Sequence, residues 1–297
     1  MIVPFGCDFW GGIGFWMLHL RIILLNLVLM FGEPGLQGQL ERLPTVLDAR
    51  LKELSGLVAS RKYAGVFWAH GDSGNPAAVF ALDRGGVTLG RFMVRAPNVD
   101  WEDIATDNDG HLYVGDIGNN LKILPVRIIH ELEEPDPNRK DEAPLKPIRS
   151  FAYRFPQAGV FDAEALFVDG DDLVLIEKWS DRRPPRIWSL SRKDPRGLSN
   201  PADLRARGTL PGFPEPVTGA SLSTDGRWLA VCSTGVVRVY GRSASGGWDL
   251  KRSQDLPAGE GYEAVSWDGG DVVIASESGR WDRWIGPVAD QERGGRR

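Results

Sequence analysis

Cysteine is nearly missing from the 297-residue chain, which has only Cys7 and Cys232. If Cys7 lies in a removed leader, Cys232 has no partner and no disulfide framework exists. Cys232 sits in the apolar run "WLAVCST" and reads as a buried, inert thiol rather than a nucleophile. Basic clusters are missing too. The net charge is −5 and the pI is near 5.5. A phosphate backbone needs Lys and Arg gathered on one face, so the sequence argues against a nucleic-acid partner. The four histidines show no zinc-ligand spacing. There is no G-x-S-x-G elbow, so Ser73 in "GDSGN" is not read as a nucleophile. No helix follows "GDIGNN", which makes it a tight β-turn rather than a phosphate loop. From Leu40 onward helical periodicity is almost absent, and the 36 Gly and 20 Pro are spread along the chain as turn residues.

One long apolar stretch is present. "MLHLRIILLNLVLMFG", Met17 to Gly32, has a short head with one Arg and an apolar core from Ile22 to Phe31. That is signal-peptide architecture with Met17 as its natural start, although no Ala-x-Ala site follows. An uncleaved anchor is the alternative, but Arg21 and Asn26 interrupt Ile13–Phe31 as a span. The expectation is an exported protein, periplasmic or extracellular, with residues 1–39 as leader or anchor and 288–297 as a disordered tail.

The rest of the chain repeats. "ELSGLVAS", "WEDIATD", "AEALFVD", "VTGASLST" and "YEAVSWD" each place a polar residue before an apolar β-type run. Each run leads through a glycine-bearing turn into a second apolar strand: "VFWAHGDSG", "HLYVGDIG", "LVLIEKW", "WLAVCST" and "VVIASES". Third strands follow, as in "AVFALD", "RIWSLS" and "VVRVYG", and most units end in an outer strand. The leading polar residues, Ser55, Glu102, Glu164, Thr218 and Glu263, are 47, 62, 54 and 45 residues apart. The 62-residue interval carries a charged, Pro-rich insertion, "ELEEPDPNRKDEAPLKP". A four-stranded unit every 40–50 residues is the period of a β-propeller. The reading is therefore all-β: one propeller domain over residues 40–287, with five blades favoured over six. Its last blade has three strands of its own, and "TVLDARL" (Thr45–Leu51) is expected to supply the fourth and close the ring.

In a propeller the starts of the innermost strands and the ends of the next ones share a face. That gathers Ser55, Glu102, Glu164, Thr218 and Glu263 into one ring. A second ring holds Asp72, Asp116, Lys178, Ser233 and Glu277, with His70, Asn75, Asn119, Asn120 and Asp181 nearby. Glutamates crowded in a low-dielectric funnel raise one another's pKa unless a cation or a proton is shared. A hard cation such as Ca²⁺ takes six to eight oxygen ligands, and Glu102, Glu164, Glu263, Asp116 and Asn119 are the expected set. Lys178 is the alternative, a fixed ammonium that balances part of the ring or orients an anionic substrate. A strand-start Glu can also be structural, accepting hydrogen bonds from the next blade. Glu164 and His70 are the candidate acid–base residues; Asp72, Lys178, Glu277, Asn120 and Trp101 are the candidate ligand contacts, with Trp179 as a second binding wall.

At "ELSGLVAS…FWAHGDSG", "NVDWEDIA…LYVGDIGNN", "EAL", "VTGASLSTDG" and "EAVSW" the chain resembles a group of exported bacterial β-propellers, most of them uncharacterised. That group is similar in outline to the esterase-like phytase propellers and, more distantly, to calcium-dependent lactonase propellers. The resemblance spans Leu40 to Pro287. The lactonase comparison implies a central calcium held by Glu and Asn/Asp at inner strand ends, which falls on Glu102, Glu164, Asn119 and Asp116. This chain departs by having Ser221 where the group would carry Asp, and Lys178 in the funnel. Two functional classes remain. One is a propeller whose carboxylate-lined funnel binds a metal, a small molecule or glycan, or a protein partner, acting as a monomer. The other is a calcium-dependent hydrolase of an ester, lactone or phosphoester.

Overall fold

A computed structural model describes residues 1, 39–46, 48–120, 123–139, 143–156, 161–178, 183–213 and 215–288. Contacts divide the chain into Met1–Gln37 and Gly38–Arg297, and every described strand belongs to the second unit. The leader, the tail from 289, Trp179 and Asp181 lie outside the described residues.

Strand β1 is Leu40–Arg42. Blade one is β2 (Leu54–Ala59), β3 (Val66–Gly71), β4 (Ala78–Asp83) and β5 (Thr88–Met93). Blade two is β6 (Trp101–Thr106), β7 (His111–Asp116), β8 (Arg127–Glu133) and β9 (Arg149–Arg154). Blade three is β10 (Ala163–Asp169), β11 (Asp172–Glu177), β12 (Arg186–Ser191) and β14 (Arg205–Thr209); the short β13 (Ala202–Asp203) lies between β12 and β14 in the chain but joins blade two. Blade four is β15 (Gly219–Leu222), β16 (Trp228–Cys232), β17 (Val236–Arg242) and β18 (Trp248–Asp255). Blade five is β19 (Tyr262–Asp268), β20 (Asp271–Ser276) and β21 (Trp281–Trp284). The strands form five antiparallel meanders, with β14 the outer strand of blade three and β13 running parallel to β9 at the edge of blade two. The expectation of five blades is met.

The ring is closed by an N-terminal strand, but not by Thr45–Leu51. Instead β1 pairs with β21, Leu40 opposite Trp284 and Arg42 opposite Asp282. Pro44 has no N–H to give a ladder, so pairing ends at Leu43, whose amide reaches Trp281 O at 3.0 Å. Asp48 then accepts the Arg50 amide at 3.0 Å and turns the chain, the usual use of an Asx side chain. Val46 and Leu51 are buried between blades one and five as plugs, not as ladder residues.

The inner strands of each blade are buried and largely apolar on both faces, while the outer strands β5, β14 and β18 are mostly exposed or half-buried. The core accordingly divides into five clusters, one for each pair of neighbouring blades. Phe67 meets Trp281 edge to face at 5.3 Å across the closing interface. Asp-Gly and Gly-Gly turns end the inner hairpins where the sequence placed them, with Gly110 and Gly226 at φ 85° and 71°, conformations an L side chain resists. Cys232 is free and fully buried, and burial pushes its thiol pKa up.

The channel is not open. Asp103 on β6 is fully buried, and its carboxylate accepts the amides of Ile104 (2.8 Å), Leu166 (2.8 Å) and Ala220 (3.3 Å). Ala220 belongs to blade four, which does not neighbour blade two, so this side chain crosses the axis. It separates the two faces of the propeller.

Candidate functional site

Four of the five inner strands begin with the same irregularity. In blades one, two, three and five the register slips at the first-ring residue, which is left unpaired: Ser55, Glu102, Glu164 and Glu263. A β-bulge places two residues opposite one and re-aims a side chain. In blade four Thr218 lies just before the first paired residue, its amide on Cys232 O at 3.0 Å. The two hydroxyl members serve the ring's structure. Ser55 Oγ donates to Glu102 O of the next blade at 2.7 Å, and Thr218 Oγ1 to Tyr262 O of its next blade at 3.0 Å. Among the described residues no backbone amide of a neighbouring blade donates to the Glu102, Glu164 or Glu263 carboxylates, and Glu164 pairs instead with Lys178.

Glu102 is the most constrained of them. It is 4% exposed, and its Oε1 is buried without a hydrogen-bond partner among the described residues. One carboxylate oxygen each from Asp72, Asp100 and Glu102 lie within 4.8 Å of one another. Gly118 makes the approach possible: a Cβ there would lie 2.1 Å from Glu102 Oε1 and 2.7 Å from Asp100 Oδ2. Asp100 is held by Asn120, whose amide reaches Oδ2 at 3.0 Å and whose Nδ2 reaches Oδ1 at 3.2 Å. Asp72 is half-buried and comes from the end of blade one's second strand, where its amide bonds Glu53 O at 2.9 Å. Glu53 itself has φ 48°, the one positive-φ non-glycine among the described residues, so the backbone beside the cluster is strained.

Electrostatics follow from this crowding. Burial, then the charges of Glu164, Asp72 and Asp100, pushes the Glu102 carboxyl far above the usual range, with Lys178 pulling the other way. Lys178 is ion-paired to Glu164 Oε1. Burial raises Glu164 to about 8 even so. Glu263, half-buried, is raised to about 7, again chiefly by burial. Burial also raises Asp72, Asp116 and Asp162. Burial opposes the charge on Lys178, but Glu164 and Glu102 hold it and its pKa ends above the ordinary value. Among the described residues one ammonium, Lys178, faces several carboxylates, so the group calls for protons or a cation.

Several expected residues are placed elsewhere. Asp116 spends both oxygens on the backbone of the Val99–Asp100 turn, at 3.3 and 2.8 Å. Asn119 Oδ1 accepts the amides of Ile123 and Leu124 at 3.1 and 3.0 Å. Both shape the loops that present Asp100, and Asp116 is not one of the three clustered carboxylates. Trp101 is 0% exposed, with its indole N–H on Pro97 O at 2.9 Å, so it is inter-blade core and not a binding wall. His70 is 0% exposed, stacked edge-on against Trp101 at 5.5 Å and pressed against Gly56, which places it behind the funnel wall. Glu277 and Asn120 are exposed at the rim. "GDIGNN" is not a tight turn: the amides of Ile117 and Gly118 both return to Asp100 O at 3.1 Å. Asp100 and Asp103 are the residues sequence reasoning passed over, although both flank Glu102 in "DWED".

A second acidic group, Asp107, Asp109 and His111, lies on the opposite face. Asp107 already accepts Tyr113 Oη and His111 Nδ1 at 3.0 Å each and pairs with Arg192, an internally satisfied network.

No family model matches the chain, and no curated protein matches it. The phytase-like and lactonase-like resemblance is thus carried by the quoted motifs alone. Among solved structures, the chain is similar to a catalytically inactive variant of virginiamycin B lyase from Staphylococcus aureus, crystallised with quinupristin. The identity is 11% and the TM-score 0.41, over 77% of this chain and 65% of that one. It is also similar to the selenomethionine-substituted form of that lyase, at 12% identity and a TM-score of 0.39, over 82% of this chain and 73% of that one. This chain therefore spans just under two thirds of the length of the first of these proteins. The propeller assignment rests on the chain's own five sheets, and the site on its own residues.

Proposed function

We propose that this protein is an exported propeller that binds a hard divalent cation of the Ca²⁺ class at Asp72, Asp100 and Glu102. With Lys178 beside it, the cation would be presented to a small-molecule or glycan ligand at the funnel mouth. The observation that carries the reading is the buried, unpartnered Oε1 of Glu102 facing two further carboxylates. An orphaned carboxylate oxygen costs about 1–3 kcal/mol or more, and a cation removes that cost. Three acidic residues leave coordination positions for water and ligand, as Ca²⁺ sites do. Export is supported by the Met17–Gly32 segment.

Hydrolysis of an ester, lactone or phosphoester is a second reading, favoured by one observation. Glu263, at about 7, is a carboxylate able to take a proton near neutral pH, and Glu164 at about 8 lies on Lys178. A bound cation would polarise the substrate oxygen. Glu263 would take the proton of the attacking water, Glu164 would be the group able to give one, and Lys178 would orient an anionic substrate.

The test is a thermal melt in EDTA and then in millimolar Ca²⁺. At 100 times Kd a ligand stabilises by about 2.7 kcal/mol, a shift of a few degrees for this size. A flat response would mean that protons and Lys178 balance the carboxylates, and would overturn the cation reading.

A further inference from the structure

On the face opposite the carboxylate funnel, Arg61 and Lys62 have no ion pair among the described residues; Lys62 Nζ reaches only a backbone oxygen, Glu134 O, at 3.4 Å. Arg61 sits on the inner hairpin of blade one, in the turn "SRKYAG". Its NH1 donates to Asn108 Oδ1 of blade two at 2.7 Å and its NH2 to Leu222 O of blade four at 3.2 Å. The guanidinium thus lies across the channel mouth from blade one to blade four. Both acceptors are neutral. A guanidinium has five N–H donors, and here three have no acceptor among the described residues. Burial lowers its pKa, and the nearby charge of Asp107 offsets that only in part.

The other arginines described around this mouth are ion-paired. Arg192 holds Asp107, Arg84 holds Asp268 through two bonds of 3.1 and 2.8 Å, and Arg242 holds Asp169 at 2.9 Å. On one side of Arg61 is a cleft of about 450 Å³ bordered by Asp107, Asp109, Asp169 and Asp225 together with Arg61 and Arg192, its carboxylates largely ion-paired. On the other side is a cleft of about 330 Å³ bordered by Arg61, Lys62, Ser221, Thr224, Trp267 and Asp268. Here the only bordering carboxylate is the one Arg84 neutralises. Trp267 is 7% exposed, and its indole N–H is buried with no acceptor among the described residues. Ser221 Oγ accepts the Trp267 amide at 3.2 Å, which leaves its own hydrogen to give. The cleft therefore offers the free Arg61 N–H groups, the Ser221 hydroxyl and positive charge.

We propose that this cleft binds a small oxyanion-bearing molecule, a carboxylate or a phosphate monoester, with its charged end on Arg61 and Lys62. The volume suits a compact metabolite-sized ligand. Arginine suits the role because its planar fork matches an oxyanion through paired, charge-assisted bonds. Asp103 closes the channel between the faces, so this site is separate from the carboxylate funnel.

The test is calorimetric titration of the full-length chain with inorganic phosphate and, separately, with succinate, at low and constant ionic strength. Saturable one-site binding of at least one probe is expected, and the stronger of the two identifies the head group. Arg61→Gln should weaken it tenfold or more and Lys62→Gln severalfold, while Lys193→Gln, an exposed cation away from the cleft, leaves it unchanged. Lys62 is exposed and its loss spares the fold, so it carries the test if Arg61→Gln unfolds. No saturable binding of either probe, or equal weakening by Lys193→Gln, would overturn the proposal.

Discussion

Acidification from pH 7 to pH 5 tests whether His70 belongs to the core or to the chemistry. The ring is fully buried and its Nδ1 donates to Gly71 O at 3.1 Å. Burial lowers its pKa from 6.5 to about 4. Between those values the unfolded chain binds the proton and the folded one does not, so stability falls as pH falls through 6.5 and the loss is complete below about 4. Worked from the two values, the loss is about 2 kcal/mol at pH 5 and only about 0.2 kcal/mol at pH 7. Against a total of about 5–15 kcal/mol this is easily measured. His130 is lowered to about 4 by the same cause and adds to the trend. Glu102, Glu164 and Glu263 have raised pKa values and act with the opposite sign, gaining stability as pH falls.

The His70→Gln variant separates these contributions, because everything except the imidazole is common to both proteins. Urea melts of each at pH 7 and pH 5 give two differences. The wild type should lose about 2 kcal/mol more than the variant over that interval, whatever His70→Gln costs at pH 7. Equal losses would refute the reasoning. They would mean that the folded imidazole titrates near its free value, hence meets solvent, and the acid–base role expected from "WAHGDSG" would return.

The same geometry fixes three further outcomes. Glu102→Gln should abolish the Ca²⁺-dependent rise in melting temperature without lowering stability in EDTA, since it removes one of several crowded charges; a retained rise would clear Glu102 of ligation. Gly118→Ala should also abolish the rise, because its Cβ would fall 2.1 Å from Glu102 Oε1, and should cost about 1–3 kcal/mol as an overpacking change read by urea melts. Asp103→Ala orphans the amides of Ile104, Leu166 and Ala220 and should cost about 3 kcal/mol or more, while Asp103→Asn, which keeps one acceptor oxygen, should cost less. An alanine cost under about 1 kcal/mol would show that the channel plug is not held as described.

The blades were readable because a propeller writes its period into the chain. Each inner strand must be apolar on both faces, each must follow a polar residue, and each hairpin must turn on a glycine. "WEDIATDNDGHLYVGD" satisfies all three, and its equivalents repeat at intervals the eye can align. The closing strand was harder for a physical reason. "TVLDARL" has more apolar side chains than "LER", but ladder pairing is a property of the backbone, and Pro44 and the Asp48 turn remove Thr45–Leu51 from it. The short β13 on blade two was equally illegible, because its pairing joins segments 49 residues apart, Tyr153 with Ala202.

The site divides along the same line. That Glu102, Glu164 and Glu263 share a ring follows from period alone. Which neighbours join them does not, because a bulge resets the alternation that would otherwise assign faces. In "DWED", Asp100 and Glu102 join Asp72 in one cluster, while Asp103 reaches across the axis to blade four. Three acids within four residues thus do two unrelated jobs, and only the register slip at Glu102 separates them. Arg61 lay further beyond reach, since its meaning depends on Leu222 standing opposite in a blade that does not adjoin its own. The separation of the two faces can be checked from both sides at once. Asp103 sits between a carboxylate face and a guanidinium face, so Glu102→Gln should leave phosphate or succinate titration untouched, and Arg61→Gln should leave the Ca²⁺ shift untouched. Cross-talk in either direction would mean that the two faces communicate through the plug, and the treatment of them as separate sites would fail.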